Sequence, residues 1–435
     1  AVLALVAAAE VRPGELPWLA ELALPGADGD WYPAGELLLP GSALAEVVDP
    51  DAPFGRVDAD VVERWGGDVL RAVGVLATFA VLRVPDVDVG LAGDDPGHDL
   101  DGEDDWFDAV ADLLPPQPTP ARLSELVAVR DLEFVRADRW ARALPLLAAL
   151  PEVAAPAVAL LADGGKQEVL PYTRWWLASH PVLDGHRPDR LRLPAATDLA
   201  GLYDMAGGDP ALLEFAGCLH GLADLLADPE RAADLLDRLG DPARTVPART
   251  LHAVYARLAF ALDGCDVPPP ARVRVAPDQV AARDAVAVLD QPHLLPLLGR
   301  AVVPAGDAPG PVADLLAVPF ASDLVTASVT SAPAGRRRWA DIPGADLAAE
   351  RCGAEVPAVE VAEHDQLLVT GGVPVPWWPG GPAGPDAVDR PAGPAALGRA
   401  LAWRLGRWGR RAAAAEAFAQ PGDAARLRAE DATTA

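Results

Sequence analysis

The stretch Leu22-Ala23-Leu24-Pro25-Gly26-Ala27-Asp28-Gly29-Asp30-Trp31-Tyr32-Pro33-Ala34-Gly35-Glu36-Leu37-Leu38-Leu39-Pro40-Gly41-Ser42 decides how this chain is read. Two short apolar runs flank glycine, aspartate and aromatic residues. Asp28-Gly29 suits positive φ, so the stretch reads as strand, tight turn, strand. Leu37-Leu38-Leu39 is a short buried strand stopped by Pro40-Gly41, and Ser42 caps a helical turn reaching Val47. A ligand loop fits less well. Asp28 and Asp30 supply too few oxygens for calcium, which takes about six or more. Gly29 lacks the Lys and helix start of a phosphate site. The expected fold class is therefore α+β: short mixed helices and β-hairpins in two or three modules, with a helix-rich centre.

At roughly 150 residues per domain, 435 residues suggest two or three domains. A composition 51% hydrophobic and 23% charged supplies real cores and excludes a disordered chain. The 45 prolines and 39 glycines predict short, interrupted helices. Four segments are expected. Residues 1–130 form an α+β module with the hairpin, and 131–267 a mainly helical module. Residues 268–375 form an α+β module with short strands. Residues 376–435 comprise a Pro/Gly linker, at 376–391, and a C-terminal basic amphipathic helix.

Within these segments, Val61, Val62, Trp65, Val69 and Val73 share one face of a helix over 58–76, capped by Asp58 or Asp60. A short helix over 106–114 ends at Pro115-Pro116. Residues 138–161 read as helix broken by Pro145, Pro151 and Pro156, and 172–180 as a short aromatic helix or turn. Helical pieces follow at 210–215, 222–227, 229–239 and 247–262, with prolines at first-turn positions. Residues 272–276, 286–289, 324–329, 359–362 and 367–369 are strand-like, and 394–419 reads as one last helix. Leu39-Pro40-Gly41-Ser42 echoes Val303-Pro304-Ala305-Gly306, and residues 275–280 echo 361–367. Both matches are too short to establish a repeat.

The 64 acids and 36 bases give a formal net charge of -28. Such a field repels nucleic acid and anionic membranes unless a local basic patch overrides it. The cysteines, Cys218, Cys265 and Cys352, are odd in number and form no C-x-x-C. They argue against a disulfide framework or zinc ribbon, and predict three buried thiols in a reducing cytoplasm. The apolar opening at 1–9 lacks a basic leader and is too short to span a bilayer, and no later run is long enough. No transmembrane segment is expected. The chain starts at Ala1 and its single methionine is Met205, so the natural start is expected upstream.

Residues 94–108 hold eight acids in fifteen positions. An EF-hand register fails there. With Gly102 at the glycine position, Gly97 occupies the first-ligand position, and Asp108 stands where the bidentate Glu belongs. His180, Asp184, His186 and Asp189 invite an alternative reading as a metal-dependent hydrolase using His180, His186 and Asp189. Pro181 and Gly185 interrupt that spacing, which matches no familiar ligand pattern. A loop ordered by Arg187, Arg190 and Arg192, paired with local acids or carbonyls, fits better. No G-x-S-x-G, dinucleotide fingerprint or P-loop occurs, and residues 162–166 read as a polar turn. Cys218 and His220 lack the spacing of a catalytic pair. Residues 397–411 hold Arg399, Arg404, Arg407, Arg410, Arg411, Trp403 and Trp408 without an acid. Leu397, Leu401, Leu405 and Trp408 form a stripe. Such a helix binds RNA, a membrane surface or a partner groove, or packs its stripe on the acidic body. Of each pair Trp175-Trp176 and Trp377-Trp378, one ring is expected in the core and the other at an interface. No catalytic, cofactor or metal residue is assigned. The candidate interaction residues are Tyr172, Arg174, Trp175, Trp176, His180, Arg187, Arg190, Arg192, Arg399, Trp403, Arg404, Arg407 and Trp408.

Several strings together carry a resemblance. They are Pro33-Ala34-Gly35-Glu36-Leu37-Leu38-Leu39-Pro40-Gly41, Tyr172-Thr173-Arg174-Trp175-Trp176-Leu177 and His180-Pro181-Val182-Leu183. Asp228-Pro229-Glu230 joins them, with Ala233-Asp234-Leu235-Leu236-Asp237-Arg238-Leu239-Gly240 and Gly398-Arg399-Ala400-Leu401-Ala402-Trp403-Arg404. Across essentially its whole length the chain resembles the C-terminal portion of actinobacterial proteins with a sacsin-type, GHKL/heat-shock-chaperone-like N-terminal ATPase domain. The resemblance implies a non-catalytic coupling or client-interaction region of a molecular chaperone. Its implied partners are an ATPase-like domain upstream in the same polypeptide and a protein client, with no nucleic acid. ATP and Mg are expected only in that N-terminal domain, whose Asp-x-Gly-x-Gly signature does not occur here. No catalytic residue carries over, and enzyme status stays open.

Overall fold

The computed structural model describes residues 1–89, 98–116 and 118–433. Ala23–Pro25 and Trp31–Pro33 pair antiparallel, with Leu24 opposite Tyr32. Gly29 closes the turn at φ 91°, a conformation that favours glycine, and its amide donates to the Gly26 carbonyl at 3.0 Å. A 3-10 turn, Ala34–Glu36, then delivers Leu37–Leu38, which runs parallel to Gly55–Arg56. Ser42 Oγ accepts the Ala45 amide at 3.3 Å and caps Ala43–Val47. Asp58 caps Ala59–Ala72 by accepting the Asp60 and Val61 amides. The chain reverses at Gly74 (φ 103°) and returns to the first strand. There the Leu76 amide donates to Leu37, and Leu76 accepts from Leu39, both at 2.8 Å.

This arrangement recurs. Leu191–Arg192 runs parallel to Asp204–Met205, and the helix Pro210–Ala216 follows. Gly217 turns the chain at φ 97°, and Leu219 returns to bond with Leu191 and Leu193. Further on, a hairpin of Arg272–Ala276 and Gln279–Ala282 leads through the 3-10 turn Arg283–Ala285 to Val286–Val288. That strand runs parallel to Ala301–Val303, and after the helix Pro309–Leu316 Ala317 adopts φ 49° and Phe320 bridges to Val288. The common unit is two short parallel strands, a helix, a left-handed residue and a return to the first strand. Leu37–Leu38 corresponds to Val286–Val288 rather than to Val303-Pro304, so the echo read from sequence was out of register.

The chain divides into two compact units, Ala1–Asp228 and Pro229–Ala435. In the first, an antiparallel sheet joins Val81–Asp88, Arg122–Val129, Ala157–Leu160 and Lys166–Val169 in that order. Trp106, Leu123, Leu126, Leu147, Tyr172 and Trp176 lie in its large core. A smaller core gathers Leu19, Leu24, Leu37, Val57 and Leu70 under the first hairpin. In the second unit, a mixed sheet runs in the order Gly335–Arg338, Glu360–His364, Asp386–Asp389, Trp377–Trp378. Helices Ala345–Arg351, Gly393–Arg404 and Arg411–Ala419 share its core. Each fully buried Leu or Val there contributes about 1.5–3 kcal/mol. Arg274 is fully buried in the same unit. Its guanidinium donates to the Leu239, Pro277 and Asp241 carbonyls, so it caps the negative end of the helix Pro229–Leu239.

The α+β class holds, with helices concentrated at 210–262. Several local readings change. Residues 157–160 form a strand, because Pro156 ends the helical run and the chain leaves it extended. Only Ala321–Leu324 and an isolated bridge at Val329 occur where 324–329 reads as strand. The Pro/Gly segment read as a linker supplies two of the four strands of the mixed sheet. The last helix breaks at Gly406 (φ 64°), so Trp408 leaves the stripe of Leu397 and Leu401. Cys218 and Cys352 are buried, but Cys265 is exposed in the polar loop that follows Ala248–Ala261. Among the described residues no helix is long and apolar enough to cross a membrane.

Candidate functional site

The helix Tyr172–Ser179 starts after Pro171, whose fixed φ suits a helix entrance. Tyr172, Trp176 and His180 follow at four-residue intervals and so lie along one side. All three meet Asp101. Its carbonyl accepts the Tyr172 hydroxyl at 2.7 Å, and its Oδ2 accepts the Trp176 indole N–H at 2.8 Å. His180 Nε2 lies 3.7 Å from the same oxygen. The His180 ring stacks on Trp176, centroids 3.8 Å apart and 5° from parallel, and its Nδ1 lies 2.7 Å from the Trp176 carbonyl. Thr173, fully buried, accepts the Val129 amide at 2.9 Å and ties the helix to the sheet.

Acids surround this cluster. His98 Nδ1 lies 2.5 Å from Glu103, and Arg130 pairs with Asp99 at 3.3 Å. Burial pushes the carboxyls of Asp131 and Glu133 up from their ordinary values, with neighbouring acids adding to the effect. Burial also pushes the Tyr172 phenol far up, helped by the charges of Asp101 and Glu133. Ser179 Oγ lies 3.1 Å from His180 Nδ1 and donates to the Trp175 and Trp176 carbonyls, and buried Cys218 has its thiol pushed up to about 11 by desolvation.

The remaining candidates of this segment turn inward or pair locally. Arg174 donates to the Glu214 and Phe215 carbonyls at 3.0 and 3.4 Å, at the end of the helix Pro210–Ala216. Arg187 grips Asp189 through two bonds, and Arg192 donates to the Tyr203 and Leu193 carbonyls. Arg190 is exposed on the turn Pro188–Arg190, and Trp175 is half-buried beside Gly102. His180, His186 and Asp189 do not converge: His186 Nδ1 faces the Asp184 carbonyl, while Asp189 holds Arg187. Among the described residues no group of His, Cys, Asp and Glu side chains is placed to hold a metal ion. The acidic run 94–108 is described only in part, and Asp94, Asp95 and Gly97 lie outside the described residues.

In the second unit the centre is Asp386, 1% exposed. It accepts Arg404 at 2.8 Å, the Trp339 indole N–H at 3.1 Å and the Gly380 amide at 3.0 Å. Arg404 also donates to the Gly381 and Gly384 carbonyls, so it fastens the Gly393–Arg404 helix to the Pro/Gly loop. Trp403 and Trp408 pack with Trp377, ring centroids 5.6–6.4 Å apart, and Arg411 lies over Trp408 at 4.9 Å. His293 presents its edge to Trp378 at 4.4 Å and to Trp377 at 5.7 Å, and its buried Nδ1 has no hydrogen-bond partner. Arg399 is half-buried and Arg407 exposed. Asp101, Asp386 and His293 were missed in the sequence, where the surrounding Asp, Gly and Pro residues gave them no local distinction. A cavity of about 300 Å³, lined by Phe260, Asp263, Cys265, Pro311 and Asp314 among others, opens beside the end of Ala248–Ala261.

No protein-family model, no curated protein and no solved structure matches the chain.

Proposed function

We propose that this chain is a non-catalytic coupling or client-interaction region of a sacsin-like, chaperone-type ATPase, with ATP and Mg held by a separate N-terminal domain and the assembly working in the cytoplasm. The resemblance in the strings around Leu37, Trp175 and Arg404 motivates the reading. One observation supports it above others: the Asp and Arg side chains at the centre of both clusters are bonded to the protein's own backbone and side chains. Asp101, Arg174, Arg192, Asp386 and Arg404 hold elements together, which suits a scaffold that transmits and presents. Arg187, Arg190 and Arg407 are exposed, and Trp175 is half-buried.

The coding sequence upstream of Ala1 tests the parentage: a GHKL-like domain is expected, and its absence ends the ATPase reading. The interaction role is tested by the aggregation of a thermally unfolding client enzyme, followed by light scattering with the chain present. The chain is expected to suppress aggregation, and the double variant Trp175→Ala/Arg407→Glu to weaken the suppression by about threefold or more, as loss of an aromatic anchor on one unit and of a surface charge on the other would. Suppression unchanged in that variant removes these residues from the role.

A further inference from the structure

Eleven large apolar side chains are exposed among the described residues, and Val2, Leu5, Leu16, Trp18 and Trp31, five of them, lie within the first 31 positions. Leu5 and Trp31 are each 69% exposed and Trp18 65%. They stand on elements built over one small core, that of Leu19, Leu24, Leu37, Val57 and Leu70. The helix Val2–Ala9 is apolar at every position, yet only Val6 is buried. An all-apolar helix is normally enclosed, so most of its surface lacks the cover its composition calls for. Exposed apolar side chains that gather into a patch mark interaction sites.

Acids outnumber bases on the elements around this core, where Arg56, Arg64 and Arg71 are also exposed. Glu10, Glu15, Glu21, Asp28, Asp30 and Glu36 are all exposed, and Arg12 is the single basic residue in residues 1–36. That charge repels anionic lipid and nucleic acid, and in a second copy it would meet itself. The complement is a polypeptide that is apolar on one side and basic at its margins. Its apolar anchors would lie on Trp18, Trp31 and Leu5, and its Lys and Arg would face the acids. Arg could also stack on the indoles. We propose that these exposed apolar side chains form a face that docks a cationic amphipathic segment of a partner protein. The inference does not depend on the ATPase parentage.

The whole chain is titrated by calorimetry with two synthetic peptides of about 18 residues, enough for roughly five helical turns. Both contain only Leu and Lys in equal numbers. One is ordered to give a helix with an apolar face, and the other is scrambled to give none. Because their charge is identical, the acidity of the chain cannot separate them. The ordered peptide is expected to bind about tenfold more tightly, and to lose about tenfold in the double variant Trp18→Ser/Trp31→Ser, since aromatic anchors dominate such interfaces. Phe260→Ser, also at an exposed aromatic, is expected to leave binding unchanged. A second variant, Glu10→Lys/Glu21→Lys/Asp30→Lys, leaves every apolar side chain in place and is expected to weaken binding by a similar factor. Equal affinity for the two peptides overturns the proposal. So does unchanged binding in both variants, or tighter binding to phosphatidylcholine vesicles than to the ordered peptide.

Discussion

His293 illustrates what a single buried residue contributes. Its ring is 6% exposed among tryptophans, and burial lowers its pKa to about 4, with Asp290 opposing the shift only in part. The folded protein therefore keeps His293 neutral where an unfolded chain, with an ordinary value near 6.5, takes up a proton. Between those values stability falls as the pH falls, because the unfolded state binds more protons. His293→Leu removes the titrating group and the unpartnered nitrogen together. The variant is expected to lose less stability than the parent between pH 7 and pH 4.5, read as the change in urea midpoint. Parallel midpoints across that window would contradict the burial argument. The residue gave no sign in the sequence. Its partners Trp377 and Trp378 lie more than eighty positions away.

At the scale of elements, the caps and turns were legible because their causes are local. Asp28-Gly29, Ser42 and Asp58 each act within a few residues of themselves, and each forms the turn or cap expected of it. The reversal at Gly74 and the break at Gly406 separate two effects of glycine. Both have positive φ. A Cβ at Gly74 would stand 3.0 Å from Ala20, whereas one at Gly406 would meet nothing within 4 Å. Gly406→Ala is therefore expected to cost about 1 kcal/mol of backbone strain, and Gly74→Ala about 2–3 kcal/mol, as strain and overpacking add. Chemical denaturation of the two variants checks the order, and equal losses would remove the role of the Ala20 contact. Gly406 was visible in the sequence, but the stripe of Leu397, Leu401, Leu405 and Trp408 outweighed it. An apolar stripe at helical spacing does not reveal whether the backbone stays helical through a glycine.

For the whole molecule, the division at Asp228/Pro229 sets the expectation. Each unit has its own core clusters, around Leu123 and Trp176 in one and Trp339 and Leu401 in the other. Residues 1–228 and 229–435, produced separately, are expected to unfold cooperatively with intact near-ultraviolet circular dichroism. A fragment without a cooperative transition would show that its core is incomplete alone. The sequence by itself determined the α+β class, the hairpin turns, the helix caps and the acidic field. These depend on composition or on neighbours within a few positions. Only the tertiary structure decided that Asp101 anchors Trp176 from 75 positions away and that Asp386 receives Trp339 across 47. Acids of this kind look alike along the chain. Which of them loses its water, and therefore needs an indole or a guanidinium beside it, is set by the elements that pack around it.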